Sequence, residues 1–335
     1  MEATLKAYRA RIQCGEVNPL AHWDGKTSRT LFDPDDDATP LTMLGFGAFN
    51  LGDGPHTVAT QEREYIFVPV TGTFEVGVGN ETFSGSREGG PFAALPGPTN
   101  AFVIYAPQGA TVKLSGAGEL VWFSAPARGA KPPVMVTSAD RENIRRGTGS
   151  WHRDVITMFT PEDVTTHLVG GETYSPPSLW SGTPLHIHDK HDPAGGQSDH
   201  EEVYYHLARH TEGSWGPYGV QMLFDDAGLD QAYIVHHRDA FAIPGAAHPV
   251  VTGPCSDMLY IWALAGRSDE LLMVDVPEFA YLKRVEALMN EVEAARPRQG
   301  LPANEFVRLA TKHDLNDAQQ TTARLHLAER GIHVQ

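Results

Sequence analysis

From about Ser28 to Pro126 the chain runs in short stretches rich in Val, Phe, Tyr and Thr, cut by Gly, Pro, Asn and Asp. That texture predicts short antiparallel strands joined by tight turns. Residues 65–70 and 73–78 read as a hairpin turning at Thr71-Gly72, with further strands at 101–105, 111–114 and 120–124. Residues 127–150 form a connector containing Lys131-Pro132-Pro133 and the basic stretch Arg141 to Arg146. Strands resume at 153–159, 168–174, 202–208, 219–224, 232–236, 239–243 and 257–264. Two all-β segments of similar length in tandem predict a duplicated barrel or sandwich. A short helix around 4–12 precedes them. Beyond Gly266, Phe279, Leu282, Val285, Met289 and Val292 recur at three- and four-residue spacing, which is helical. Pro302 opens a second helix through Leu309, and Asn316 caps a third that closes at Gly331. The expected units are therefore 1–27, 28–150, 151–267 and 268–335.

Charge narrows the function. The 335 residues carry 26 Lys and Arg against 42 Asp and Glu, a net −16. Such a chain is a poor binder of nucleic acid or of anionic membranes. It contains no run of 18 apolar residues, its first residues (Met1 to Lys6) lack an apolar signal segment, and two cysteines make no disulfide framework. A cytoplasmic location is the expectation. Residues 281–335 sum to +1, so the β body carries −17. This near-neutral helical tail is expected to pack on the body or on another subunit of a homo-oligomer.

Sixteen histidines are the unusual count. The most informative stretch is Thr183-Pro184-Leu185-His186-Ile187-His188-Asp189. Residues two apart in a strand share a face, so His186 and His188 would present two imidazoles to one point. Then come Glu201-Glu202-Val203-Tyr204-Tyr205-His206 and, after a Pro244-Gly245 turn, His248. Three imidazoles and a carboxylate suit one divalent transition ion (Zn, Mn, Fe or Ni) better than Mg or Ca. Glu201 and Glu202 face opposite sides of the sheet, and a one-residue slip exchanges them. Pairing Glu202 with Tyr204 and His206 makes one polar face and leaves Val203, Tyr205 and Leu207 to pack elsewhere, so Glu202 is the chosen ligand. A lone His-x-His is common on surface strands. Of the other histidines here (His191, His200, His206, His210, His236 and His237), most read as loop or surface residues, while His206, two residues beyond Tyr204, falls on the inward face. The first β segment holds only His56 and is expected to be metal-free and structural, with Glu62-Arg63-Glu64 a solvated strand start.

The order of His-x-His, Glu and His resembles the metal site of cupin barrels. Several stretches together resemble a family of sugar-acid isomerases that includes 5-deoxyglucuronate isomerase and 5-keto-4-deoxyuronate isomerase. They are Arg63 to Gly72, Arg146-Gly147-Thr148-Gly149, Arg153-Asp154-Val155, Tyr174-Ser175-Pro176-Pro177, Trp180-Ser181, Pro184 to Asp189, Glu201 to Tyr205, Gly219-Val220-Gln221 and His248-Pro249-Val250. The resemblance covers roughly residues 28–267 and leaves the tail outside the usual family length. It implies an all-β bicupin fold with its metal in the second barrel, on His186, His188, Glu202 and His248. It also implies aldose–ketose isomerisation of a small-molecule sugar acid without a redox cofactor.

Such a reaction moves a proton between carbons and another between oxygens. Tyr204, His206 or a non-ligand Glu201 are the candidate bases, and a hydride shift would need none. Arg153 is the candidate grip on a substrate carboxylate, set against an ordinary salt bridge. Tyr174 and Gln221 are candidates for sugar hydroxyls. The rival readings are an isomerase of another acidic sugar, a metal-dependent dioxygenase and a sugar-binding cupin.

Overall fold

A computed structural model of the protein describes residues 1–95, 99–210, 216–295 and 300–335. Two large antiparallel sheets pack against each other. The first orders Arg29–Phe32, Gly45–Asn50, Thr111–Pro126, Arg63–Val78, Phe102–Ala106 and Val134–Thr137. The second orders Leu20–His22, Asp239–Ile243, Gln197–His210, Ser256–Gly266, Val169–Ser175, Arg153–Phe159 and Asn143–Arg146. A four-stranded sheet (Trp180–Ser181, Val250–Thr252, Tyr218–Phe224, Asp230–His236) belongs to the second half of the β body. This is the all-β bicupin architecture. The connector contributes a strand to each large sheet. The N-terminal segment follows helix α1 (Glu2–Gln13) and pairs Leu20–His22 with Asp239–Ile243, so it packs on the second barrel.

The two sheets share one core. Along Gln197–His210, Val203, Tyr205 and Leu207 enter that core, as the alternation predicts. Tyr205 lies 5.4 Å from Phe46, which lies 4.9 Å from Phe123 of the first sheet. Burying each such side chain contributes about 1.5–3 kcal/mol.

A pair of carboxylates joins the barrels reciprocally. Glu201 is fully buried and accepts from Thr42 N and Oγ1 (2.8 Å each) and from Met43 N and Leu44 N (2.6 Å each), just before strand Gly45–Asn50. Glu64 repeats this on Thr166 N and Oγ1, His167 N and Leu168 N (2.6–2.8 Å), just before strand Val169–Ser175. Each glutamate satisfies buried N–H groups that the start of a strand leaves without ladder partners. Glu64 is therefore no solvated strand start.

The expected hairpin at Thr71-Gly72 is instead one strand, Arg63–Val78, paired throughout with Thr111–Pro126. The register shifts between Pro69 and Thr71, and Gly72 (φ +81°) bends the ribbon where a Cβ would stand 1.9 Å from Ala117 O. Proline and a positive-φ glycine make a bulge here rather than a turn.

The tail forms α2 (Leu282–Ala295), α3 (Ala303–Lys312) and α4 (Asp317–Glu329). Asn316 and Gln319 cap α4 reciprocally, each side chain accepting the other's backbone N–H. The helices close their own core around Leu288, Met289, Phe306 and Leu327, and Trp151 and Trp180 of the β body enter it. Among the described residues no helix is long and apolar enough to cross a membrane.

Candidate metal centre

Three short segments deliver three histidines to one point. His186–Ile187 is a two-residue strand held by Val274–Asp275, and it follows the cis Thr183-Pro184 bond. His188 exchanges backbone contacts with His200, whose N–H donates to His188 O at 2.8 Å. His248 follows the Pro244-Gly245 turn, and its carbonyl accepts from Gln221 Nε2 at 2.8 Å.

Each imidazole has its Nδ1 on a backbone carbonyl: His186 on Pro184 O (3.1 Å), His188 on His200 O (2.9 Å) and His248 on Ala246 O (2.9 Å). A carbonyl only accepts, so each Nδ1 carries the proton and each Nε2 offers a lone pair. One ligand nitrogen from each of these three residues lies within 4.8 Å of the others. Glu202 Oε2 stands 3.4 Å from His188 Nε2 and 3.3 Å from His248 Nε2. His248 Nε2 is buried and has no hydrogen-bond partner.

Lone pairs facing a carboxylate at such distances, out of water, make a place where a cation can sit between them. Ligands about 2.0–2.2 Å from one ion bring their donor atoms to roughly this separation. The donor set thus fits a divalent transition ion. Burial works to raise the Glu202 carboxyl, but the imidazoles of His188 and His248 outweigh it and hold it down to about 2. Burial, helped by the two neighbouring imidazoles, pushes His186 down to about 3. Both groups are in the ligating form at neutral pH.

A cavity of about 690 Å3 opens above this cluster, and Arg153, Tyr204 and Tyr260 line it. Arg153 donates to Thr183 O (2.6 Å) and Trp151 O (3.3 Å) and has no carboxylate partner among the described residues. The alternative of an ordinary salt bridge for Arg153 is not realised there. Burial raises the phenol of Tyr204 well above its usual value, with the Glu202 charge adding to the effect. Tyr260 lies against it (ring centroids 4.4 Å apart) and shares a 2.5 Å hydroxyl contact with Ser181.

Four candidates do not reach the cavity. Glu201 faces the other barrel, because odd positions of its strand enter the inter-barrel core. His206 is on the correct face but lies deeper, against Tyr204 and Tyr260, with both ring nitrogens unpartnered and burial pushing it down to about 3. Tyr174 points away from the cavity and donates to Asp257 (2.8 Å), while its neighbour Thr173 takes the inward position. Gln221 does not line the cavity: its Nε2 donates to the carbonyls of His248, Pro249 and Met222 and so positions the last histidine, while its Oε1 is buried without a hydrogen-bond partner among the described residues.

Sequence reasoning passed over Arg146 and the α2 face. Arg146 also lines the cavity without an ion-pair partner among the described residues, and it stood in one of the family-like stretches. Lys283, Glu286, Ala287 and Asn290 of α2 form another part of the wall. Their i, i+3, i+4, i+7 spacing was legible as one helix face, but not what that face covers.

The model of the KduI/IolB family matches residues 21–282. A 5-deoxy-glucuronate isomerase of Listeria monocytogenes (strain EGD-e) is 27% identical over 235 residues, 68% of this chain and 83% of that protein. One of Geobacillus thermodenitrificans is 28% identical over 149 residues, 44% of this chain and 53% of that protein. Against the two Geobacillus relatives the chain spans about half of their length, 53% and 50%. Among solved structures, an IolB-like protein from Salmonella typhimurium LT2 shares the fold (TM-score 0.71, 24% identity, 79% of this chain and 99% of that one). A Bacillus subtilis oxalate decarboxylase variant shares it more distantly (TM-score 0.51, 10% identity, 84% of each).

Proposed function

Because the chain belongs to the KduI/IolB family, we propose that it is a metal-dependent aldose–ketose isomerase of a sugar acid, with 5-deoxyglucuronate as the first candidate substrate. The observation that carries this reading is the convergence of His186, His188, His248 and Glu202 beneath a cavity holding two arginines without carboxylate partners among the described residues. His186, His188, His248 and Glu202 would hold one divalent transition ion, which supplies Lewis-acid polarisation of the substrate carbonyl. Arg153 and Arg146 bind and orient the substrate carboxylate. Tyr204 stays protonated at neutral pH, so its Oη donates to a substrate oxygen and moves the oxygen-bound proton. It is not the base for the carbon-bound proton. With Glu201 and His206 outside the cavity, two routes remain: a carboxylate of the cavity wall (Glu286 or Asp275) as base, or a hydride shift.

The α2 wall favours a second reading within the same chemistry. Lys283, Ala287 and Asn290 lie beyond the family match, which ends at residue 282, so the far end of the cavity suits a different acidic sugar.

The test is direct. Purified protein should hold about one divalent ion per chain, and His186→Ala should lower its affinity for that ion more than the roughly 10–100-fold typical of outer-shell changes. NMR of 5-deoxyglucuronate with the enzyme in deuterated water should show a ketone product. Deuterium on the carbon marks a base that exchanges with solvent, whereas its absence is the outcome shared by a hydride shift and a base shielded from water. Turnover of another uronate alone selects the second reading. Oxygen consumption without isomerisation overturns both.

A further inference from the structure

The first barrel has a cavity of its own, about 540 Å3, and strand registers show that it is the counterpart of the metal-site cavity. In the second barrel Glu202 and Val169 both pair with Leu264, and Tyr204 and Gly171 with Trp262. In the first, Tyr65 and Gly45 both pair with Ser124, and Phe67 and Gly47 with Trp122. The Glu64 and Glu201 clamps fix this correspondence, since each stands one residue before the row that begins it. Tyr65, Ser124, Gly45, Trp122 and Phe49 therefore line the first cavity at the positions where Glu202, Leu264, Val169, Trp262 and Thr173 line the second. The bowl is kept while the metal-binding carboxylate is replaced by an aromatic ring.

Its aromatic lining rests on the apolar cluster around Phe67 and Leu120, but the rings are only half-buried and charged groups stand beside them. Trp122 and Tyr65 present rings 5.4 Å apart, and Gly47 makes room for Trp122, since a Cβ there would stand 2.5 Å from Cζ2. Phe49 adds a third ring, 4.8 Å from His56. Arg63 binds Ser124 through Nε and Nη2 and the Met43 carbonyl through Nη2. It has no carboxylate within ion-pair distance among the described residues, which leaves Nη1 available. Asp33 and Asp35 also line the cavity. Flat aromatic faces suit the C–H faces of a sugar, carboxylates accept from its hydroxyls, and a guanidinium grips a carboxylate. The two aspartates disfavour a polyanion. At about 540 Å3 the space is within the range of small-ligand sites.

We propose that the first barrel is a second, metal-independent binding site for a monosaccharide-sized, singly charged sugar acid, seated on Trp122 and Tyr65 with its carboxylate on Arg63.

The test uses the full-length chain and D-glucuronate as the probe, followed by saturation-transfer NMR and tryptophan fluorescence. Binding should persist in chelator-treated protein and in His186→Ala/His188→Ala, whose metal cluster is dismantled while the first barrel is untouched. Thr30→Trp places a bulky ring in the first cavity from an exposed edge position, and it should weaken binding at least about tenfold. Arg63→Met should weaken D-glucuronate and leave D-glucose unchanged. Loss of all binding in both the chelated protein and the double-histidine variant overturns the proposal, as does full-strength binding in Thr30→Trp placed in the double-histidine background. Equal affinity for D-glucose and D-glucuronate in the double-histidine variant overturns the role of Arg63.

Discussion

Glu201 and Glu202 are adjacent carboxylates, both buried, with opposite employment. Glu201 takes four hydrogen bonds from residues 42–44, and Glu202 faces two imidazoles. Glu201→Gln turns an amide donor toward backbone donors and should cost about 2–4 kcal/mol of stability by chemical denaturation, with metal content unchanged. Glu202→Gln should do the reverse, losing metal at little cost to the fold of the apo-protein. His206 offers a pH test. Its folded-state value of about 3 lies below the ordinary 6.5, so the unfolded chain takes up its proton first. Stability from this group is complete above about pH 6.5 and is lost as pH falls toward 3. His206→Phe should flatten the loss of stability across that window without reducing stability at pH 7, as denaturant titrations at stepped pH would show. Period-two alternation made Glu202 legible, because a face is a local property. The partners of Glu201 lie 157–159 residues away, and nothing near Glu201 announces them.

Most strands and all four helices were readable from texture, because periodicity and caps act within a few residues. What the elements dock against was not. The tail helices were expected on the body or on another subunit, and they pack on the body at the rim of the cavity. Met289 of α2 is fully buried, and its Sδ accepts from Thr148 Oγ1 at 3.8 Å. Glu286 of the same helix accepts from Gly147 N at 3.1 Å. The segment that leads into Arg153 thus leans on α2. Met289→Ala should cost about 2–5 kcal/mol in the tail core. Hydrogen exchange at 147–151 should rise and KM should increase, while metal content holds. Unchanged exchange there would separate the tail from the site. The hairpin misread at Thr71-Gly72 has a related cause. A Thr-Gly pair flanked by β-formers signals a turn in isolation, and only the long partner strand, Thr111–Pro126, makes it a bulge.

Across the whole molecule, two opposing fields would act on the anionic substrate proposed above. The chain carries −16, which repels a sugar acid during approach, whereas Arg146 and Arg153 attract it at contact. The ranges differ. The Debye length is about 30 Å at 10 mM salt and about 8 Å at 150 mM, so added salt removes the long-range repulsion first. Contacts inside a cavity with low-dielectric walls are screened far less. The rate constant for capture, read as kcat/KM, should therefore rise as salt goes from 10 to 150 mM, the reverse of the trend for an electrostatically steered pair of opposite charge. Arg153→Ala should raise KM at every salt concentration and keep the same upward slope, because it removes the contact and leaves the global field nearly as it was. A slope that inverts in the wild type would mean that the local cations already dominate at a distance, and that the acidic surface is turned away from the cavity mouth.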